Sequence, residues 1–445
     1  MNNYKLTLSF LLFGIMVQAQ ELKLTLKEAI NFALENKADA KKAKLDIENS
    51  NYQIQEVRAL ALPNISVEAG LNNSPLLQQS ALPGEFFGQP GETVLVPFGQ
   101  KWNSSASATL TQTIFNQSVF TGLKAAKTTR EFYIINRELT EEQLIEKVAN
   151  SYYQIYQSKE MLKTITSNLN STERIKGIIE GLYNNGLATK IDLDRTKVSL
   201  SNIKSKRQQS INAIQLQENS LKFLIGMDLN TQISFPEDTF EITGDALSSE
   251  INIDERTELQ LLRKQEELLT YKKKSIVAEY YPSLALFGNF AYQGLGNELP
   301  WFKKPSDGVF WTSYATVGLT LKVPIFSGFA TRSKVRQAEI DLKKTALDIA
   351  DTREAMDLSH KNAVTQIQNS LITISSQKEN VDLAKDVQEN IHNNYKNGLA
   401  TLTDLLDAEN AFTEAENNYT NALLEYKLAE IELIKAQGAL KSLTK

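Results

Sequence analysis

The sequence predicts an α+β membrane protein in which pairs of short β-strands alternate with very long helices. Three observations carry that expectation. The chain writes one plan twice: "YNNGLATKID" at Tyr183 returns as "YKNGLATLTD" at Tyr395, 212 positions later, with seven of the ten residues alike. Four segments of about ten residues alternate apolar and polar, the period of a strand. Between them run long proline-free stretches with the 3/4 spacing of helices.

Element by element, the N-terminus comes first. Lys5 precedes an apolar run of about twelve residues, Leu6–Val17, and "VQA" supplies small residues at the spacing of a secretory cleavage site. The run is short of the ~20 residues a bilayer-spanning helix needs. Residues 1–19 are therefore expected to be a signal peptide.

Thr25 and Glu28 form a capping box that opens a helix expected to reach Leu62, where Pro63 stops it. Residues 64–72 then alternate, with Ile65, Val67, Ala69 and Leu71 on one face. Residues 73–102, rich in Pro and Gly, read as a long loop, and 104–115 alternate again. A helix is expected over about 119–182, then the first turn (183–189), then a helix to Gly226. Residues 227–253 read as a linker with one short strand. From there the plan restarts. A helix over 254–281 stops at Pro282, strands are expected at 283–292 and 313–326, and a helix over 331–394 leads to the second turn (395–401) and a last helix to Leu440. The repeats are thus 20–226 and 254–445, and Gly226 and Gly438 share the same 212-residue offset.

Ten residues are the length of a tilted membrane strand, and an apolar face opposed to a small or polar face is the pattern of an outer-membrane barrel. Trp102, Trp311 and Tyr314 gather near the loops; Tyr280, Tyr281, Phe115 and Phe326 gather at the helix side, as interfacial girdles do. A soluble four-stranded sheet with one buried face alternates equally well. In lipid, four strands cannot close, and open edges cannot stay unsatisfied. The membrane reading therefore requires several copies: two would give eight strands and a filled interior, three would give twelve and a lumen. The long helices, about 64 residues or on the order of 95 Å each, carry one narrow seam. In the second it runs through Val364, Ile367, Leu371, Ile374, Val381, Ala384, Val387 and Ile391.

Composition narrows the chemistry. The chain has 445 residues, 42% hydrophobic and 23% charged, a formal net charge of −5, no cysteine and two histidines, His360 and His392. That excludes thiolate catalysis, zinc–cysteine sites and disulfides. An acidic balance argues against nucleic acid. No acid–base–nucleophile constellation, cofactor motif or metal-ligand set stands out, so no enzyme is expected.

At the repeated turns, Gly186 and Gly398 suit the left-handed end of a helix, and Leu187 and Leu399 fall where such a turn favours an apolar contact. Thr189 and Thr401 are N-caps, with Asp192 and Asp404 placed to complete capping boxes. Capping accounts for those two carboxylates without any function. It does not account for Asp407, three residues past Asp404 and on the same helix face, for which an ordinary solvated helix face is the alternative.

These residues carry a resemblance. "Tyr395…Gly398…Asp404-Leu405-Leu406-Asp407-Ala408" and "Tyr183…Gly186…Asp192-Leu193", with the duplicated order of elements, resemble the TolC-like outer-membrane efflux protein family (outer membrane factors). The resemblance implies a homotrimer with a 12-stranded β-barrel in the outer membrane of a Gram-negative bacterium, continuous with a periplasmic α-helical coiled-coil tunnel and joined by an equatorial linker. It implies a passive duct of a tripartite efflux or type I secretion system, served by a periplasmic adaptor and an inner-membrane pump of RND or ABC type, with no cofactor. Gly186, Leu187, Gly398 and Leu399 match the tips that dock the adaptor. Asp404 and Asp407 match carboxylates ringing the closed end of the tunnel, and Asp192 and Tyr395 match positions that hold that end shut. Ala400 departs from members with an arginine in this lock, which leaves either a looser lock or one made by another pair such as Lys190 or Lys396. A periplasmic coiled-coil adaptor or scaffold is the alternative reading; an adaptor would carry one hairpin flanked by β-rich domains.

Overall fold

The computed structural model describes residues 22–236, 242 and 252–444. The expected signal peptide and much of the 227–253 linker lie outside the described residues. The chain forms two compact units, one of residues 46–134 and 261–349, the other of the remainder.

The first unit is built on a four-stranded antiparallel sheet of order β2-β5-β7-β8. Its strands are β2 (Asn64–Asn73), β5 (Trp102–Phe115), β7 (Ser283–Gly296) and β8 (Val309–Lys322). Two expectations shift here. β8 ends at Lys322 rather than Phe326, because Pro324 offers no N–H to a ladder. The stretch 73–102 is not a plain loop: it holds a hairpin of β3 (Gln79–Pro83) and β4 (Thr93–Pro97). Its prolines sit at the strand ends, where no ladder bond is lost. Alternation within "QSALP" and "TVLVP" was masked by the Pro and Gly around it.

The second unit contains most of the helical length. Here α1 (Leu26–Asn36) begins at Thr25 with the expected capping box. The single helix expected to Leu62 is instead broken. Lys37 is extended (φ −64°, ψ 135°), and α2 (Ala38–Ala59) restarts after it. The cause is tertiary: Gly226 packs against the break, where an added Cβ would lie 3.0 Å from the Asn36 carbonyl, and Lys37 Nζ donates to the Phe223 carbonyl at 3.0 Å. A two-residue strand β1 (Leu22–Lys23), which the sequence did not suggest, pairs in parallel with β6 (Ile233–Ser234).

The two long helices, α3 (Gln117–Asn184) and α6 (Ala330–Lys396), have 68 and 67 residues, about 100 Å each. Each leads through a tight turn to a shorter helix, α4 (Lys190–Ile225) or α7 (Leu402–Ala436). α5 (Thr257–Val277) starts three residues later than expected, after a 3-10 turn at Ile253–Glu255. Leu24, Ile30, Ile145, Val148, Ile155, Leu221, Ile225 and Ile431 form the largest buried cluster. Burying each such side chain contributes about 1.5–3 kcal/mol. Along α6 the expected seam is buried at Ile367 and Ile374, with Val364 and Leu371 against them. It fails at Val387, which is exposed; Gln388 turns inward in its place.

Candidate functional site

Two features of this fold are candidates for function: the faces of the sheet and the repeated turns. Register assigns every strand residue to a face. Val67, Ala108, Phe290 and Ala315 lie in one row, and Ile65, Leu110, Gly288 and Val317 in the next, so one face is apolar across all four strands. The other carries Asn64, Ser66 and Glu68 on β2, Ser107, Thr109 and Thr111 on β5, Asn289 and Gln293 on β7, and Thr312 and Thr316 on β8. Asn289 Nδ2 donates to Thr109 Oγ1 at 3.0 Å across that polar face.

Aromatic residues bound the apolar face at both ends. Toward the loops, Tyr292 stacks on Trp311 with centroids 5.0 Å apart. Gly294 makes room for that indole, since any Cβ there would fall 2.8 Å from it. Trp301, from the β7–β8 connection, donates Nε1–H to Ser104 Oγ at 3.1 Å. Tyr314 is a correction: it pairs with Ala291 and lies on the polar face, so it belongs to no girdle. At the helix side, Phe115 meets Phe120 at 6.1 Å and Phe326 meets Phe329 at 5.4 Å, with Tyr280 and Tyr281 half exposed.

The two turns share one geometry. Gly186 and Gly398 are left-handed, with φ +76° and +74°. Leu187 N–H donates to the Leu182 carbonyl and Gly186 N–H to the Tyr183 carbonyl; Leu399 and Gly398 repeat this with Asn394 and Tyr395. These are the two bonds of a Schellman motif. The apolar contact expected of its leucines is not made: Leu187 is 75% exposed and Leu399 78%. Both point outward instead.

Thr189–Asp192 and Thr401–Asp404 form complete capping boxes. Asp404 Oδ2 accepts from Thr401 N–H at 2.8 Å and from Thr401 Oγ1 at 2.7 Å, and these bonds hold its pKa below the ordinary aspartate value. Asp404 and Asp407 are both exposed on α7. Beneath the turns, Ile175, Ile179, Leu193, Leu402, Leu405 and Leu406 form a buried cluster that Tyr395 joins. Burial raises the Tyr395 phenol, and the nearby Asp192 carboxylate raises it further. Tyr395 of one hairpin thus packs on the cluster that Leu193 of the other belongs to, while the Asp192 carboxylate accepts its side-chain bonds from Thr189.

Two features escaped the sequence. Arg195 Nη1 donates to Thr403 Oγ1 at 2.5 Å, tying α4 to α7 through a residue other than Lys190 or Lys396. Its only sequence signal was an arginine one helical turn after Asp192. The second is Glu409, 6% exposed, which accepts from Ser171 on α3 at 2.8 Å and from Gln388 on α6 at 2.9 Å. Asn168, Thr172 and Thr413 extend this polar layer. In the sequence Glu409 is one of several acidic residues in "DAENAFTEAE", and nothing there sets it apart.

The chain matches the profile of the Outer membrane efflux protein family over residues 29–227 and 252–439. It belongs to that family. It is 22% identical over 387 residues to the outer membrane protein TolC of Vibrio cholerae, covering 86% of this chain and 83% of the relative. It is 29% identical over 189 residues to the alkaline protease secretion protein AprF of Pseudomonas aeruginosa, covering 42% and 37%. Its fold is that of the outer membrane protein VceC from Vibrio cholerae, with a TM-score of 0.73 at 19% identity over 93% of this chain and 96% of that one. This outer membrane efflux protein is an outer-membrane transport duct of the efflux and secretion type, with the α+β fold of such channels. Nothing favours the adaptor or scaffold alternative.

Proposed function

We propose that three copies close the sheet into one twelve-stranded barrel, and that the helices conduct substrate from a periplasmic adaptor and an inner-membrane pump of RND or ABC type. The observation that carries this is the sheet itself. Among the described residues β2 and β8 are unpaired edges of a sheet with one apolar face, and such edges in lipid need partners from other copies. Three copies give a lumen lined by Asn, Ser and Thr; two would give a barrel filled by side chains. The repeats 20–226 and 254–445 each supply one hairpin, so six tips meet the adaptor. Gly186, Leu187, Gly398 and Leu399 are the docking tips, and the outward leucines are their apolar contacts.

At the tips, Asp404 and Asp407 of three copies place six carboxylates around the narrow end of the duct. Like charges confined in a pore attract cations and repel anions. Asp192 with Tyr395, and Arg195 with Thr403, hold the two hairpins together and keep that end narrow. The test is planar-bilayer conductance of the purified protein beside an Asp404→Ala/Asp407→Ala variant. The parent is expected to pass a small, cation-selective current blocked by divalent cations, and the variant to lose the block. Identical block in both would return these aspartates to plain helix caps.

A further inference from the structure

A cleft of about 450 Å³ opens where α3, α5 and α6 meet in the sheet-bearing unit, and nothing in the duct reading uses it. Its lining combines lysines with aromatic rings. Lys124, Lys273 and Lys274 contribute three ammonium groups, and no Asp or Glu lines it among the described residues. Lys273 is partly neutralised by Glu339 at 2.9 Å, and Lys274 lies 5.2 Å from the centroid of the Tyr271 ring. Phe120 and Tyr281, each about half exposed, form the apolar wall.

Its position is fixed by the chain. α3 starts at Gln117, two residues after β5 ends at Phe115, and Tyr281 stands two residues before β7 starts at Ser283. The cleft therefore lies at the helix-side end of the strands. It also lies on the apolar side of the sheet: the Phe120 ring is 6.1 Å from that of Phe115, whose register partner Leu284 belongs to the apolar face. If that face meets lipid, the cleft sits at the level of the periplasmic leaflet's headgroups.

We propose that this cleft binds the phosphate headgroup of an anionic phospholipid of the periplasmic leaflet, with Lys124 and Lys274 on the phosphate and Phe120 and Tyr281 against the glycerol and upper acyl chains. The proposal rests on the barrel reading. The chemistry is that of an anion carried on an amphiphile: a bare anion would find the lysines but leave the aromatic wall unused, and a zwitterionic headgroup would bring its own cation into a site already cationic.

The test is native mass spectrometry of the purified full-length protein in nonionic detergent. It is titrated with phosphatidylglycerol, phosphatidylcholine or inorganic phosphate, beside a Lys124→Gln/Lys274→Gln variant that keeps the Lys273–Glu339 pair. A lysine near an anionic surface contributes about fivefold in binding, so the variant, which lacks two, should hold phosphatidylglycerol about twenty-five-fold more weakly. Phosphatidylcholine should bind weakly to both proteins. Equal retention of phosphatidylglycerol by parent and variant would overturn the proposal. So would inorganic phosphate displacing the lipid at matching concentration, which would make the cleft a free-anion site. Conductance of the same two samples separates the claims. If both conduct but retain lipid equally, the barrel stands and the cleft does not. If neither inserts, the barrel reading fails and the lipid site falls with it.

Discussion

Val317 and Thr316 are neighbours on β8 that point to opposite faces, so one substitution at each position asks which face meets lipid. Val317 lies five residues from the strand end at Lys322. At about 3.3 Å per residue and a tilt near 40°, that places it about 13 Å into the barrel wall, the middle of an apolar band about 25 Å tall. An arginine there costs about 2–4 kcal/mol per chain, and three copies multiply this to about 6–12 kcal/mol per barrel. Thr316→Arg puts the same charge on the polar face, facing water, and should change stability by less than about 1 kcal/mol. The assay is urea unfolding of protein folded into phospholipid vesicles, with the outer-membrane yield of each variant as a second readout. Val317→Arg is expected to lower both sharply while Thr316→Arg stays near the parent. Equal damage from the two, or greater damage from Thr316→Arg, would refute the assignment of faces.

Glu409→Ala removes a buried carboxylate that accepts from Ser171 and Gln388. Two bonds to a charged group total about 3 kcal/mol or more, so hydrogen exchange along the tip-proximal half of α7 should quicken about a hundredfold; unchanged protection would show that the layer does not hold the tip. The cap at Thr401 makes a prediction about pH. Because bonding to Thr401 lowers the Asp404 pKa on folding, the cap's contribution is fully present above the ordinary value of 3.8 and is lost only as pH falls below it through the lowered value. Exchange at the first turn of α7 should therefore be flat, after correction for intrinsic rates, from pH 7 to 5 and rise only in stronger acid; in Thr401→Ala it should be fast throughout.

Much of this was legible because local rules and the fold agree. Strand alternation alone puts Val317, Leu319 and Leu321 on one face, and the capping boxes at Thr25, Thr189 and Thr401 all form. What failed depended on contacts distant in sequence. Nothing around Lys37 marks a helix break; the break is made by Gly226 and Phe223, nearly two hundred residues on. Arg195 and Thr403 are unremarkable singly and become a link only when α4 and α7 adjoin. Val387 follows the seam by three-residue spacing, yet the inward position falls one residue on, at Gln388, which bonds Glu409, before the seam resumes at Ile391. Tyr314 lies among aromatics in sequence, but its parity with Thr312 and Thr316 places it on the polar face.

The central claim is that one chain supplies a third of the channel. Its most direct test is the subunit count of the protein extracted from the outer membrane, measured by native mass spectrometry in nonionic detergent. A species of three chains is expected, matching twelve strands and a lumen. A stable monomer or dimer as the membrane form would contradict it, because four strands leave lipid-facing edges unpaired and eight leave no passage.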